Sequence, residues 1–303
     1  MSVRTAAAAA LLVLGGCAAP PPGAPVPAGA APAAGHSEWA ATCTDADEWD
    51  RPGPPFRIHG NTYYVGTCGI AAILVAGGPQ GHVLIDGGTG AAPPLIAANI
   101  AALGLRIEDV ALLLSSHEHF DHVGGLADLQ RRSGARLLAS PAAAPVLASG
   151  ETAADDPQAG MHEPFEAARV DGLVTAGEPV RLGSLSLTPL FTPGHTRGAL
   201  SWQWESCDGG DCRTIVYADS LSPISNDSYR FSDRPDLVAA YRSGLARLAA
   251  LDCDILMTPH PVASAMRARL VAGSLAEAAP CRAYAAAIGA RLDERLAREA
   301  AGQ

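Results

Sequence analysis

The segment His117-Glu118-His119-Phe120-Asp121-His122 gathers three imidazoles and two carboxylates directly after the apolar run Val110 to Leu114 and before the pair Gly124-Gly125. Neutral imidazole and carboxylate are borderline and hard donors, a mixture that suits zinc better than calcium or copper(I). The cluster reads as a metal site. It is not the HExxH zinc helix, because Asp121 stands where the second histidine would be needed. Two further histidines follow apolar runs: His195 in Thr192-Pro193-Gly194-His195-Thr196 after Leu185 to Leu190, and His260 in Thr258-Pro259-His260-Pro261 after Asp254 to Met257. Open α/β sheets present their functional groups at the carboxyl ends of strands. Three such ends converging on one crevice is the arrangement these spacings predict.

The elements that must position these groups can be read from periodicity. Ile107 to Ser115 has the continuous apolar character of a strand covered on both faces. If strand geometry continues for two more residues, His117 and His119 project to the same side, since strand side chains alternate with period two. They would then share one metal. Asp121 and His122 fall on the turn beyond, before a helix over Leu126 to Arg132, within reach of a second metal. Ile70 to Val75 and His82 to Asp86 read as strands joined by the turn-rich residues 76–81, and Pro94 to Leu103 as a helix. Further strands are expected at Leu185 to Leu190, Leu200 to Trp204 and Thr214 to Tyr217, and helices at Pro235 to Ala250 and Glu277 to Ala300. The pattern is mixed α/β. The polar stretch Gly150 to Phe165 is a candidate loop beside the cleft. Its His162 and Gln158 read as bystanders, His36, His59 and His82 as structural or exposed, and Trp202 and Trp204 as packing. Asp86 reads as a residue that orients a ligand or a turn.

The amino terminus has Arg4, an apolar segment from Ala6 to Leu14, and Leu14-Gly15-Gly16-Cys17, the layout of a bacterial lipoprotein signal over residues 1–17 with Cys17 as the lipidated residue. The apolar stretch is shorter than the roughly 20 residues that span a bilayer. Residues 18–35 are almost entirely Ala, Pro and Gly, a composition that makes a tether. One domain over residues 36–303 follows. An exported chain retaining six cysteines after Cys17 is expected to form disulfides, for which fifteen pairings are possible in principle. Proximity and the turn Asp208-Gly209-Gly210-Asp211 favour Cys207 with Cys212. The formal net charge is -10 and no lysine is present, so neither a nucleic-acid partner nor Schiff-base chemistry is expected.

HxHxDH followed by Gly-Gly, then Pro-Gly-His-Thr and a late Pro-His, resembles the metallo-β-lactamase superfamily, and within it the β-lactamases of subclass B3. Gly66-Thr67-Cys68-Gly69-Ile70, Val83-Leu84-Ile85-Asp86-Gly87-Gly88, residues 196–202 and Tyr217-Ala218-Asp219-Ser220-Leu221-Ser222 support the likeness, which runs from about His59 onward. Arg197 departs from it, standing where many relatives are expected to have proline. The resemblance implies a four-layer αβ/βα sandwich with the metals at an edge between two mixed sheets. It implies a pair of zinc ions, one held by His117, His119 and His195 and the other by Asp121, His122 and His260. It also suggests disulfides Cys43–Cys68 and Cys253–Cys281.

The activity so implied is hydrolysis of the β-lactam amide by a metal-bound hydroxide that Asp121 orients, conferring antibiotic resistance, in a periplasmic, lipid-anchored monomer. Ser220 and Ser222 would bind the substrate carboxylate. Asp219 is left out of the ligand set. A glyoxalase II-like thioesterase or a lactonase shares the same motifs and would instead have Asp219 bridge both metals. A non-catalytic zinc-binding lipoprotein would need no open coordination position.

Overall fold

The computed structural model describes Ser2 and residues 35–302. Apart from Ser2, the expected signal segment with its Cys17 and all but the last residue of the expected tether lie outside the described residues. The order of elements is α1 (His36–Thr42), β1 (Phe56–His59), β2 (Thr62–Tyr64), β3 (Ile73–Val75), β4 (His82–Ile85), α2 (Pro93–Ala102), β5 (Val110–Leu114), α3 (Phe120–Val123), α4 (Leu126–Ser133), β6 (Arg136–Ala139), α5 (Ala143–Ser149), β7 (Val170–Leu173), β8 (Val180–Leu182), β9 (Leu185–Phe191), β10 (Leu200–Asp208), β11 (Asp211–Tyr217), α6 (Pro235–Ala249), β12 (Ile255–Met257), α7 (Met266–Val271) and α8 (Pro280–Ala300).

Strands β1 to β7 form one sheet in sequential order, antiparallel up to β4 and parallel from β4 to β7. The second sheet has the order β12-β11-β10-β9-β8, in which only β11 and β12 are parallel. Strand alternation sorts the apolar side chains into layers. Ile73, Val75, Val83, Ile85, Leu112 and Leu114 of the first sheet meet Leu187, Trp202, Trp204, Ile215, Tyr217 and Met257 of the second in a shared core. Their neighbours Leu74, Leu84, Leu113 and Leu137 turn outward to pack on Ile96, Ile100, Leu126, Leu129 and Leu147 of the helices. Val216 and Leu256 do the same for α6 and α8 through Leu237, Tyr241, Leu245, Ile288 and Leu292. Helix, sheet, sheet, helix is the four-layer sandwich expected.

The strand reading of Ile107 to Ser115 needs correction. A short 3-10 turn covers Ile107–Asp109, and the strand ends at Leu114. It therefore does not continue through His117 and His119. Pro280 also sets the start of α8 three residues later than Glu277, after Ala279 in a left-handed conformation. The pairs Cys43–Cys68, Cys207–Cys212 and Cys253–Cys281 all stand at disulfide distance. Cys207 and Cys212 face each other across the β10–β11 hairpin, whose length extends beyond both expected strands.

Candidate metal centre

Every catalytic candidate lies just past a strand end. His117 and His119 follow β5 in an irregular bend, with His119 at the extended position before α3. Asp121 and His122 lie in the first turn of α3, buried at its start. The bend, rather than a prolonged strand, turns both imidazoles to one side. His195 follows β9 and His260 follows β12. Gly194 is required there: a Cβ would come within 2.4 Å of the Tyr241 ring.

Two sets of donor atoms result. Those of His117, His119 and His195 lie within 4.8 Å of one another, with His119 Nδ1 and His195 Nε2 3.2 Å apart. Asp121 Oδ2 lies 3.1 Å from His122 Nε2 and 3.3 Å from His260 Nε2, and those two nitrogens are 3.3 Å apart. The sets adjoin, since His117, Asp121 and His122 also form a group within 4.8 Å and the His117 and His122 rings are 4.3 Å apart. All six side chains that the sequence singled out are thus brought together.

The far sides of the rings are held by acceptors. His119 Nε2 is 3.0 Å from Asp156 Oδ1, and His195 Nδ1 donates to the Ser222 carbonyl at 2.8 Å. Asp219 Oδ1 lies 2.8 Å from His117 Nδ1, although not aligned as a hydrogen bond. This leaves His117 Nε2, buried and without a hydrogen-bond partner, as that ring's free donor. A buried polar atom without a partner calls for a ligand, and a metal ion fits the donor chemistry of both sets. Asp219 uses its other oxygen to accept from the Leu221 N–H, while its Oδ1 is buried without a hydrogen-bond partner.

Electrostatics at His117, His195 and Asp121 agree with ligand duty. Burial, reinforced by the neighbouring histidines, holds His117 and His195 well below the usual histidine range, keeping their lone pairs free. Burial alone would raise Asp121, but His122 and His260 hold it well below the carboxylate range. Burial works against charging His122, and Asp121, Asp86 and Asp219 outweigh it to raise its affinity for a proton.

Asp86 adopts a left-handed backbone, with φ 64. Such a conformation costs about 1 kcal/mol or more and persists where surroundings enforce it. Its carboxylate accepts from Ser116 N at 2.6 Å, Ser116 Oγ at 2.7 Å and Tyr217 OH at 2.7 Å, and sits 3.8 Å from His122 Nδ1. Asp86 therefore orients the bend, as its sequence context suggests.

Sequence reasoning missed Asp156, Glu118 and the reach of the 150–165 loop. Glu118 accepts from Thr196 Oγ1 at 2.7 Å and Gly198 N at 2.9 Å, tying the His195 segment to the bend. Its signal was only its place inside the histidine cluster. Asp156 offered none. Gln158, read as a bystander, places Nε2 3.5 Å from His195 Nε2, whereas His162 packs at a tilt against Phe120 with ring centres 4.6 Å apart. Of the two serines, Ser222 is half-buried with Oγ 3.2 Å from His195 Nδ1. Ser220 is buried and its hydroxyl has no protein partner. Two other donor-rich groups, Cys43-Asp47-Cys68 and Glu205-Cys207-Cys212, have their sulfurs paired at disulfide distance.

Residues 65–260 match the family described as the metallo-beta-lactamase superfamily. The chain belongs to that superfamily. Among solved structures, the metallo-β-lactamase MIM-2 is 57% identical, with a TM-score of 0.85 over 89% of this chain and 100% of its own. MEM-A1, a subclass B3 metallo-β-lactamase from a soil metagenome library, is 43% identical, with a TM-score of 0.80 over 84% of this chain and 100% of its own. A hydroxyacylglutathione hydrolase of Rhodopseudomonas palustris (strain BisB5) is 31% identical over 152 residues, 48% of each chain. The chain spans about half the length of the curated relatives it matches. The likeness that covers most of this chain lies with metallo-β-lactamases, one of them of subclass B3.

Proposed function

We propose that the chain is a zinc-dependent β-lactamase of subclass B3, exported and acting on small lactam antibiotics. The observation that carries this reading is the pair of adjoining donor sets, His117-His119-His195 and Asp121-His122-His260, in a fold that aligns over 84–89% of this chain with metallo-β-lactamases, one of them of subclass B3. A pair of zinc ions bound there supplies Lewis-acid polarisation of the lactam carbonyl and a nucleophile usable at a pH near 7. The protein's own groups do the rest. Asp121, kept anionic beside His122 and His260, orients the attacking water, while as a metal-bound carboxylate it makes a poor base. Ser222, half-buried, holds the carboxylate common to β-lactams, and the enclosed Ser220 hydroxyl contributes less. No lysine is available for that task. Asp156 and the Ser222 carbonyl keep the His119 and His195 tautomers fixed.

Export fits three cysteine pairs at disulfide distance, and anchoring rests on the lipoprotein-like signal ending at Cys17. The hydroxyacylglutathione hydrolase relatives keep a thioesterase in view. Zinc-loaded protein assayed on a penicillin, a cephalosporin, a carbapenem and S-lactoylglutathione separates the two. Lactam turnover is expected; rapid thioester turnover with inert lactams would overturn the proposal.

A further inference from the structure

The 150–165 loop reaches the site through one buried carboxylate. Asp156 has a side chain only 4% exposed, and its Oδ1 lies 3.0 Å from His119 Nε2 while also accepting from Gln158 N at 2.7 Å. The loop is fixed on both flanks of this contact. On one side, Arg197 Nε donates to Asp155 Oδ2 at 2.6 Å, and its guanidinium stands 3.7 Å from Asp236 of α6. On the other, Asn226 donates its backbone N–H to Pro157 O at 2.8 Å and its Nδ2 to Ala159 O at 2.9 Å. Arg197 follows His195 by two residues and Asn226 follows Ser222 by four. The segments that carry the site therefore also carry the loop's anchors.

We infer that Asp156 is a positioning residue for His119 and that Arg197, by clamping Asp155, holds the loop that delivers it. A carboxylate on the far nitrogen of a ligating imidazole fixes the tautomer and ring angle and raises the basicity of the nitrogen that binds. His119 Nε2 donating to Asp156 leaves Nδ1 as its lone-pair atom, which is the atom facing His195 Nε2. The clamp is weaker than the contact it supports. Arg197 and Asp155 are 38% and 51% exposed, and ion pairs in water contribute little on their own.

This inference rests on the zinc reading of the site, and its test reads zinc affinity directly, by competition with a chromophoric chelator on the purified protein. Asp156→Ala is expected to weaken zinc binding by about 10- to 100-fold. Asp156→Asn, nearly isosteric, is expected to fall between it and the parent, and guards against a folding failure in the alanine variant. Arg197→Ala and Asp155→Ala should each weaken binding by about two- to fivefold, and the double variant by no more than either single change. Circular dichroism and apoprotein melting should match the parent in the Asp156→Asn form. Unchanged affinity in both Asp156 variants would overturn the positioning role, and additive Arg197 and Asp155 effects would overturn the clamp. Should the parent fail to hydrolyse lactams, the substrate assignment falls while the affinity series still decides this inference.

Discussion

Tyr217, at the end of β11, donates its hydroxyl across the sandwich to Asp86 at the end of β4, at 2.7 Å. Both side chains are fully buried, and burial raises the pKa of each. One hydrogen bond thereby joins the two sheets directly beneath the bend that carries His117 and His119.

Tyr217→Phe keeps the ring and removes only the donor, so the buried Asp86 carboxylate loses one of its three partners. The expected cost is about 1–3 kcal/mol of stability, as for a buried acceptor left short. Urea denaturation of parent and variant with zinc present checks it. A change below about 0.5 kcal/mol, the usual scatter for inconsequential substitutions, would mean the tie carries no weight.

Ser222→Ala should raise KM for lactams about tenfold with little change in kcat, the pattern of an interaction made equally with substrate and transition state. The Ser222 carbonyl still accepts from His195, so metal content should not move. Ser220→Ala should raise KM less, because its hydroxyl is closed off from solvent. Steady-state kinetics on one cephalosporin suffices. A fall in kcat with unchanged KM in Ser222→Ala would place that hydroxyl in the chemistry instead.

His82 provides a pH prediction away from the metal centre. Burial lowers its pKa below the ordinary histidine value, and its Nδ1 accepts from Gly77 N at 3.2 Å, which requires a lone pair there. The folded state therefore resists a proton that the unfolded chain accepts. Stability from this group is complete above pH about 6.5 and falls as pH drops through that value, because the unfolded chain then binds more protons. His82→Gln should flatten the loss of melting temperature between pH 7.5 and pH 5.5, to be read by thermal melts at both values. An equal loss in both proteins would contradict it.

How much of this was legible in the sequence follows from how local each signal is. His117 to His122 announce themselves because ligand-type residues are packed within one turn, and His195 and His260 because each ends an apolar run. Helix α6 and the strands around β4, β5 and β9 were readable from equally local signals: α6 and β9 bury residues periodically, and β4 and β5 are apolar almost throughout. Asp156 was invisible, since a lone aspartate in a polar loop becomes a partner of His119 only through tertiary placement 37 residues away. Strands β1, β2 and β6 to β8 were not anticipated. They are three or four residues long, and β7 and β8 are only partly covered, so neither pattern nor length set them apart. The bend after Leu114 defeated the simple alternation rule because Ser116 and Asp86 redirect the chain where β5 ends.

The central claim is that two adjoining donor sets hold a pair of zinc ions that lactam hydrolysis requires. Its most direct test is elemental analysis of purified protein alongside hydrolysis rates, before chelation, after removal of metal, and through stepwise return of zinc. The account predicts two zinc ions per chain at full activity, loss of turnover with the metal, and its recovery as zinc is restored. Full lactam hydrolysis by preparations that contain no metal would contradict it.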